Sequence, residues 1–207
     1  MSWDDELYKK YKVDFLPEST VGEYSINKFT VSKEDESMEK LRAFINKTGR
    51  YVPAGKYTRL YYKGSYGHDT IMSDTPDEIR DHLSAIHMSE KAETVLINGL
   101  GLGVVLNAIL KYTKVKKVTV VELSSDVIEL VGGIYKSMYG DRLEIINDSA
   151  LTFKPPKGAK YDIVWHDIWN ALCSDNLTAM KFLHRRYGKR CKWQGSWGRE
   201  FCERYNR

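Results

Sequence analysis

Cysteine is scarce in this chain: Cys173, Cys191 and Cys202 are the only three among 207 residues, and no CxxC pair occurs. That odd, sparse set excludes a disulfide framework and a zinc knuckle, and it points to reduced thiols in a cytoplasmic setting. Nowhere do ~18 apolar residues run together, so no membrane span is expected. The opening, Met1-Ser2-Trp3-Asp4-Asp5-Glu6, lacks the basic-then-apolar order of a signal peptide. A dominant charge is missing too. Lys and Arg number 32 against 28 Asp and Glu, leaving +4, too mild an excess to argue for nucleic acid. Internal repeats and low-complexity segments are also absent.

What is present is ordinary globular composition, 42% hydrophobic, 29% charged and 12% aromatic, which excludes a disordered or collagen-like chain. A chain of this size buries roughly 70% of its unfolded surface, so its core needs no staples. The chain changes character near residue 90. Residues 1–89 read as an α+β extension, and residues 90–207 alternate strand and helix.

In the extension, Asp35 to Asn46 carries Met38, Leu41 and Ile45 at helical spacing, with Gly49 as a stop. Tyr57 to Tyr62 and Thr70 to Met72 form a hairpin around a Gly64–Gly67 turn. Thr75-Pro76-Asp77-Glu78 is a helix start, with Thr75 as cap and Glu78 completing a capping box. Beyond it, strands at Thr94–Ile97, Lys117–Val121, Leu143–Ile146 and Tyr161–Trp165 are followed by a short fifth around Cys191 and Trp193. Helices at Val104–Tyr112, Asp126 to about Met138, and Asp175–Tyr187 intervene. Apolar strands separated by helices predict a Rossmann-like, doubly wound, mostly parallel sheet, shortened at its C-terminal end. Ligand chemistry then belongs at the carboxyl ends of the strands.

Four constellations occupy those ends. Asn98-Gly99-Leu100-Gly101-Leu102-Gly103 follows a strand and opens a helix. Glycine there permits positive φ and close backbone approach to a ligand. The spacing G-x-G-x-G is not the dinucleotide fingerprint G-x-G-x-x-G, and no Gly-Lys-Ser/Thr follows, so NAD and a Walker loop are disfavoured. Glu122 ends the second strand, where a fixed carboxylate can accept from both hydroxyls of a ribose. Asp148-Ser149-Ala150 follows the third strand and can meet an adenine amine and ring nitrogen. His166 and Asp167 follow the fourth, and alternation points them to opposite faces; only one can enter a site.

These residues resemble the class I S-adenosylmethionine-dependent methyltransferase fold, most closely its spermidine-synthase-like branch. Val95 to Gly103 looks like that branch's first motif, Val118 to Glu122 its second, and Tyr161 to Asp167 the strand ending in its catalytic aspartate. The resemblance implies S-adenosylmethionine as cofactor, held by Asn98, Gly99, Leu100, Gly101, Gly103, Glu122, Leu123, Asp148, Ser149 and Asp167. It implies Asp167 as the catalytic group, with His166 as substitute base. The branch carries a Tyr-His pair where this chain has Ile79-Arg80-Asp81-His82, and a second acid where it has Asn170. Losing acids removes the charge-assisted bonds that hold a diamine, so methyl transfer to an unidentified acceptor is expected first. Aminopropyl transfer and a non-catalytic cofactor-binding domain are the alternatives.

Four of the five tryptophans lie beyond residue 160. Trp169, Asn170, Trp193 and Gln194 are candidate substrate contacts, or the tryptophans simply pack a shortened sheet edge. Arg185-Arg186, Lys189-Arg190 and Lys114 to Lys117 read as solvated surfaces rather than a nucleic-acid stripe. No metal site is expected. A homodimer is, through Tyr57, Leu60, Tyr61 and Tyr62 or through the exposed edge of the fifth strand.

Overall fold

The computed structural model describes residues 3–46, 50–64 and 67–205. Its N-terminal part is an antiparallel sheet in the order β1-β2-β3-β4, made of β1 (Ser19–Val21), β2 (Tyr24–Val31), β3 (Gly55–Gly64) and β4 (Gly67–Ser73). Strands β3 and β4 are the expected hairpin, longer at both ends, and residues 65 and 66 of its turn lie outside the described residues. Strands β1 and β2 carry little sequence signal, because only Ile26 along β2 is fully buried. Tyr57 and Leu60 are buried as well, which removes them from the contact surface expected of a dimer.

Helix α1 (Trp3–Tyr11) precedes this sheet and α2 (Lys33–Ile45) interrupts it. Ser32 starts α2: its side chain accepts the Asp35 N–H while Asp35 accepts the Ser32 N–H, a reciprocal capping box. Met38, Leu41 and Ile45 do lie on this helix, but they face outward. The expected stop at Gly49 lies outside the described residues. Helix α3 (Pro76–Met88) begins where expected, yet the box at Thr75 does not form. The Thr75 hydroxyl is 2.9 Å from Ser73 Oγ, and Glu78 accepts from the Ser73 N–H and hydroxyl at 3.2 and 3.0 Å.

The second sheet is all parallel, in the order β7-β6-β5-β8-β9, from β5 (Thr94–Asn98), β6 (Lys117–Glu122), β7 (Leu143–Asn147), β8 (Tyr161–His166) and β9 (Cys191–Ser196). Successive residues alternate between faces. Val95, Ile97, Val118, Val120, Ile163 and Trp165 join the main core, whereas Leu96, Val121 and Val164 join a smaller one. The main face is covered by α1, α3, α4 (Val104–Tyr112) and a helix that runs as α5 (Ser125–Val127), a π turn (Ile128–Gly132) and α6 (Gly133–Tyr139). The other face carries α7 (Asn176–Tyr187), with Leu183 and Tyr187 against Leu96 and Val164. This is the Rossmann-like α/β fold. The main core also takes in Tyr11, Val13, Leu16, Ile26, Leu60 and Met72, so one apolar cluster joins the N-terminal sheet to the α/β part.

Helix α8 (Arg199–Tyr205) packs its buried Cys202 against Leu177 and Met180 of α7 and leaves the outer edge of β9 without a paired strand among the described residues. The strand order reverses between β5 and β8, and such a reversal opens a crevice at the strands' carboxyl ends.

Candidate functional site

That crevice holds a cavity of about 300 Å³, within the size range of small-molecule sites. Gly99, Gly101, Glu122, Leu123, Ser149, Asp167, Trp169 and Asn170 line it, eight of the sequence-derived candidates from four strand ends. The strand ladders continue past their ends to fix them. Gly99 N–H donates to Val121 O at 2.8 Å, Asp167 N–H to Asn98 O at 2.8 Å, and Asp148 N–H to Glu122 O at 3.0 Å.

The glycine loop is needed for a reason the sequence does not show. Gly99 has φ 98°, and a Cβ there would sit 1.9 Å from the Asp167 carbonyl oxygen. The space beside it belongs to the neighbouring strand end rather than to a ligand. Gly101 behaves alike: φ is 51° and a Cβ would meet Met72 Sδ at 2.6 Å. Leu100 and Gly103 lie behind the lining. Leu100 instead donates its N–H to Glu122 Oε2 at 2.7 Å, while Ser124 N–H donates to Oε1 at 2.8 Å. Both carboxylate oxygens are therefore fixed, and each retains a lone pair for a hydroxyl in the cavity. Val121, Leu123, Ala150, Leu151 and Ile168 supply the apolar part of the wall, suited to a flat base. Glu122 together with this wall fits a nucleoside.

Asp148 is absent from the lining; its Oδ1 accepts from the Ser149 N–H at 2.7 Å and the Thr152 hydroxyl at 3.2 Å. Asn98 is fully buried. Its amide Nδ2 is 2.7 Å from His166 Nδ1, and His166 Nε2 is 3.3 Å from Gln194 Oε1. His166 is buried too, and burial lowers its pKa to about 3. It faces His184 and Tyr187 of α7, away from the cavity. The substitute-base reading fails on this placement: Asp167, on the opposite face, enters the site. Trp193 and Gln194 are displaced as well, lining a second cavity of about 880 Å³ with Trp165, Asp81 and Arg199. Trp193 stacks on Trp165 with ring centres 6.3 Å apart.

Asp167 sits in an acidic environment. Burial first, then the neighbouring carboxylates Glu78, Asp81 and Glu122, push its carboxyl well above the usual range. Burial likewise raises Glu78 to about 7, with hydrogen bonds from Ser73 opposing. Asp81 is clamped by Arg50, Nη1 to Oδ1 at 3.0 Å and Nη2 to Oδ2 at 2.9 Å. His82 is fully buried, and neither ring nitrogen has a hydrogen-bond partner. Its Nε2 lies 3.8 Å from Asp167 Oδ2, and burial lowers its pKa to about 4. Tyr24, Leu60, Ile71 and Met72 complete the wall. Sequence reasoning missed these four, since they arrive from the N-terminal sheet by tertiary packing alone. Glu78 was legible only as a helix-start residue.

Among the described residues, no group of three or more His, Cys, Asp or Glu could hold a metal ion. No helix among them is long and apolar enough to cross a membrane.

A polyamine aminopropyltransferase from Oceanobacillus iheyensis is 31% identical over 124 residues, covering 55% of this chain and 23% of the relative. The chain thus spans less than a quarter of that relative's length. Among solved structures, the N-methyltransferase NodS from Bradyrhizobium japonicum is similar with a TM-score of 0.44 at 15% identity, over 56% of this chain and 63% of NodS. The Escherichia coli protein yhhF gives 0.44 at 16%, over 57% and 64%. The spermine/spermidine synthase domain matches residues 68–192, a span that opens in β4, contains Gly99, Glu122 and Asp167, and closes in β9. With more than half of its residues inside that match, the chain belongs to the spermine/spermidine synthase domain family.

Proposed function

We propose that this chain transfers an aminopropyl group from decarboxylated S-adenosylmethionine to an amine. The observation that carries this reading is the charge of the cavity. Among the described residues, the charged ones in its lining are Glu122 and Asp167, and Glu78 and Asp81 act on Asp167 from α3. S-adenosylmethionine brings a carboxylate that would have no cationic side chain in this lining, at the cost of an unpaired buried charge. The decarboxylated donor brings a sulfonium and an ammonium, two cations for an acidic site. The sequence reading placed methyl transfer first because Asn170 stands where the branch has an acid. Glu78 supplies acidity from another element, and the aminopropyltransferase relative supports aminopropyl transfer ahead of methyl transfer.

The donor, when bound, supplies an activated carbon next to a sulfonium. Glu122 holds the ribose, and Leu123, Ala150 and Leu151 flank the base. Asp167 ionises once a cation seats beside it, then orients the acceptor amine and takes its proton. His82, fully buried and neutral, stands behind Asp167, its Nε2 3.8 Å from Oδ2. Seating donor and acceptor together in the cavity aligns the two reactants.

Incubation of the chain with decarboxylated S-adenosylmethionine and a panel of diamines, read by mass spectrometry, tests this. An aminopropylated amine with stoichiometric methylthioadenosine is expected. Methylated product with S-adenosylhomocysteine from a parallel S-adenosylmethionine reaction, and no aminopropyl product, would overturn it.

A further inference from the structure

We propose that Arg186 of α7 positions the donor's base: its guanidinium fixes carbonyls of the 148–153 turn, whose residues Ser149, Ala150 and Leu151 line the base side of the cavity. This role rests on the nucleoside reading of the cavity and is independent of which group is transferred. Within the turn the Thr152 and Phe153 N–H groups both donate to Ser149 O, at 3.0 and 2.8 Å. A turn closed in this way leaves its later carbonyls without partners of its own, as at a helix end. Ala150 and Phe153 are buried, where an unpaired carbonyl is costly. Arg186 takes up three carbonyls of the turn from another element. Its Nη1 donates to Ala150 O and to Phe153 O, each at 2.9 Å, and its Nη2 donates to Leu151 O.

Three acceptors around one cation call for an arginine. Its planar fork meets several acceptors at once, whereas a lysine ammonium is a point charge on a flexible stem. The fork is itself held in place. The Phe182 ring centre lies 4.4 Å from the guanidinium carbon, and Leu183 and Tyr187 of the same helix pack with Phe153. The neighbouring Arg185 contrasts with it: exposed, it donates to Lys181 O within α7 at 3.3 Å. The pair Arg185-Arg186 therefore divides into a solvated side chain and a half-buried clamp. Losing the clamp frees Ala150 and Leu151 to shift away from the base. Glu122 keeps its own bonds from the Leu100 and Ser124 N–H groups, so the ribose end stays in place.

Calorimetric titration of the full chain with 5′-methylthioadenosine tests the proposal without requiring turnover. Arg186→Ala should weaken binding by about tenfold or more, Arg186→Lys should recover part of that loss, and Arg185→Ala should match the parent. The 2′-deoxy analogue separates positioning from general damage. Its penalty relative to methylthioadenosine reports the Glu122 end of the site, and it should be the same in the parent and in Arg186→Ala. If Arg186→Ala does not fold, Arg186→Lys carries the test, with a loss of about threefold or more expected. Parental affinity in the folded variants overturns the proposal and leaves the transferase reading standing. Disappearance of the 2′-deoxy penalty in Arg186→Ala also overturns it, since Arg186 would then support the whole fold rather than the base wall. A parent chain that does not bind methylthioadenosine overturns the nucleoside site itself, and the proposal with it.

Discussion

The Leu100 N–H donates to Glu122 Oε2 at 2.7 Å, joining the glycine loop after β5 to the last residue of β6. One carboxylate thereby holds the loop and faces the cavity. Glu122→Ala should weaken donor binding by about tenfold or more, because hydrogen bonds to a charged acceptor contribute roughly 1.5–3 kcal/mol. Calorimetric titration checks this. Glu122→Gln, which retains one acceptor oxygen, should recover part of the loss. Equal affinity in the parent and both variants would remove Glu122 from the site.

Asp167→Asn keeps the side chain's shape and removes its ability to take a proton. Donor affinity should change less than turnover, which should fall by about 10²-fold or more at saturation. Steady-state kinetics separate the two. A variant with lost binding and normal turnover at saturation would make Asp167 a binding group only.

Glu78 gives a pH signature. Its carboxyl is raised from 4.5 to about 7 in the fold, so between those values the folded chain binds more protons than the unfolded one. Stability from this group is therefore present below pH 4.5 and is lost as pH rises toward 7. Glu78→Gln should raise the melting temperature at pH 8 by several degrees and change it little near pH 4. Donor affinity should move the other way, tightening from pH 6 to 8 as Glu78 releases its proton and adds negative charge behind Asp167. Melting scans and titrations in buffers of different ionisation enthalpy read both effects. A flat affinity across that range would count against cation recognition at this end.

His166→Ala should destabilise the fold by about 2–4 kcal/mol, since it empties a buried site and orphans the Asn98 amide and Gln194. Denaturant unfolding measures this, and turnover below the melting transition should persist. A folded variant whose rate falls as far as that of Asp167→Asn would return His166 to the chemistry.

The parallel sheet was legible because its strands are short runs of β-branched residues ending in Asn98, Glu122, Asn147 and His166. The crossover rule then assigned ligand chemistry to those ends, and Glu122 and Asp167 followed. Parity showed that His166 and Asp167 diverge, but choosing between them required knowing that α7 covers the His166 face. Met38, Leu41 and Ile45 have the spacing of a core stripe, and periodicity gives a face without saying which way it turns. Glu78 and Thr75 match a capping box letter for letter, yet Ser73 captured both partners through a tertiary arrangement. Tyr24, Ile71 and Met72 reach the cavity across more than 25 residues of intervening chain, beyond any local pattern.

The most direct measurement is parallel calorimetric titration at about pH 8 with decarboxylated S-adenosylmethionine and with S-adenosylmethionine. Among the described residues the cavity lining offers two carboxylates and no cationic side chain, so the decarboxylated donor should bind about tenfold or more tightly than the amino acid form. S-adenosylmethionine binding as tightly or more tightly would contradict aminopropyl transfer as the activity of this chain.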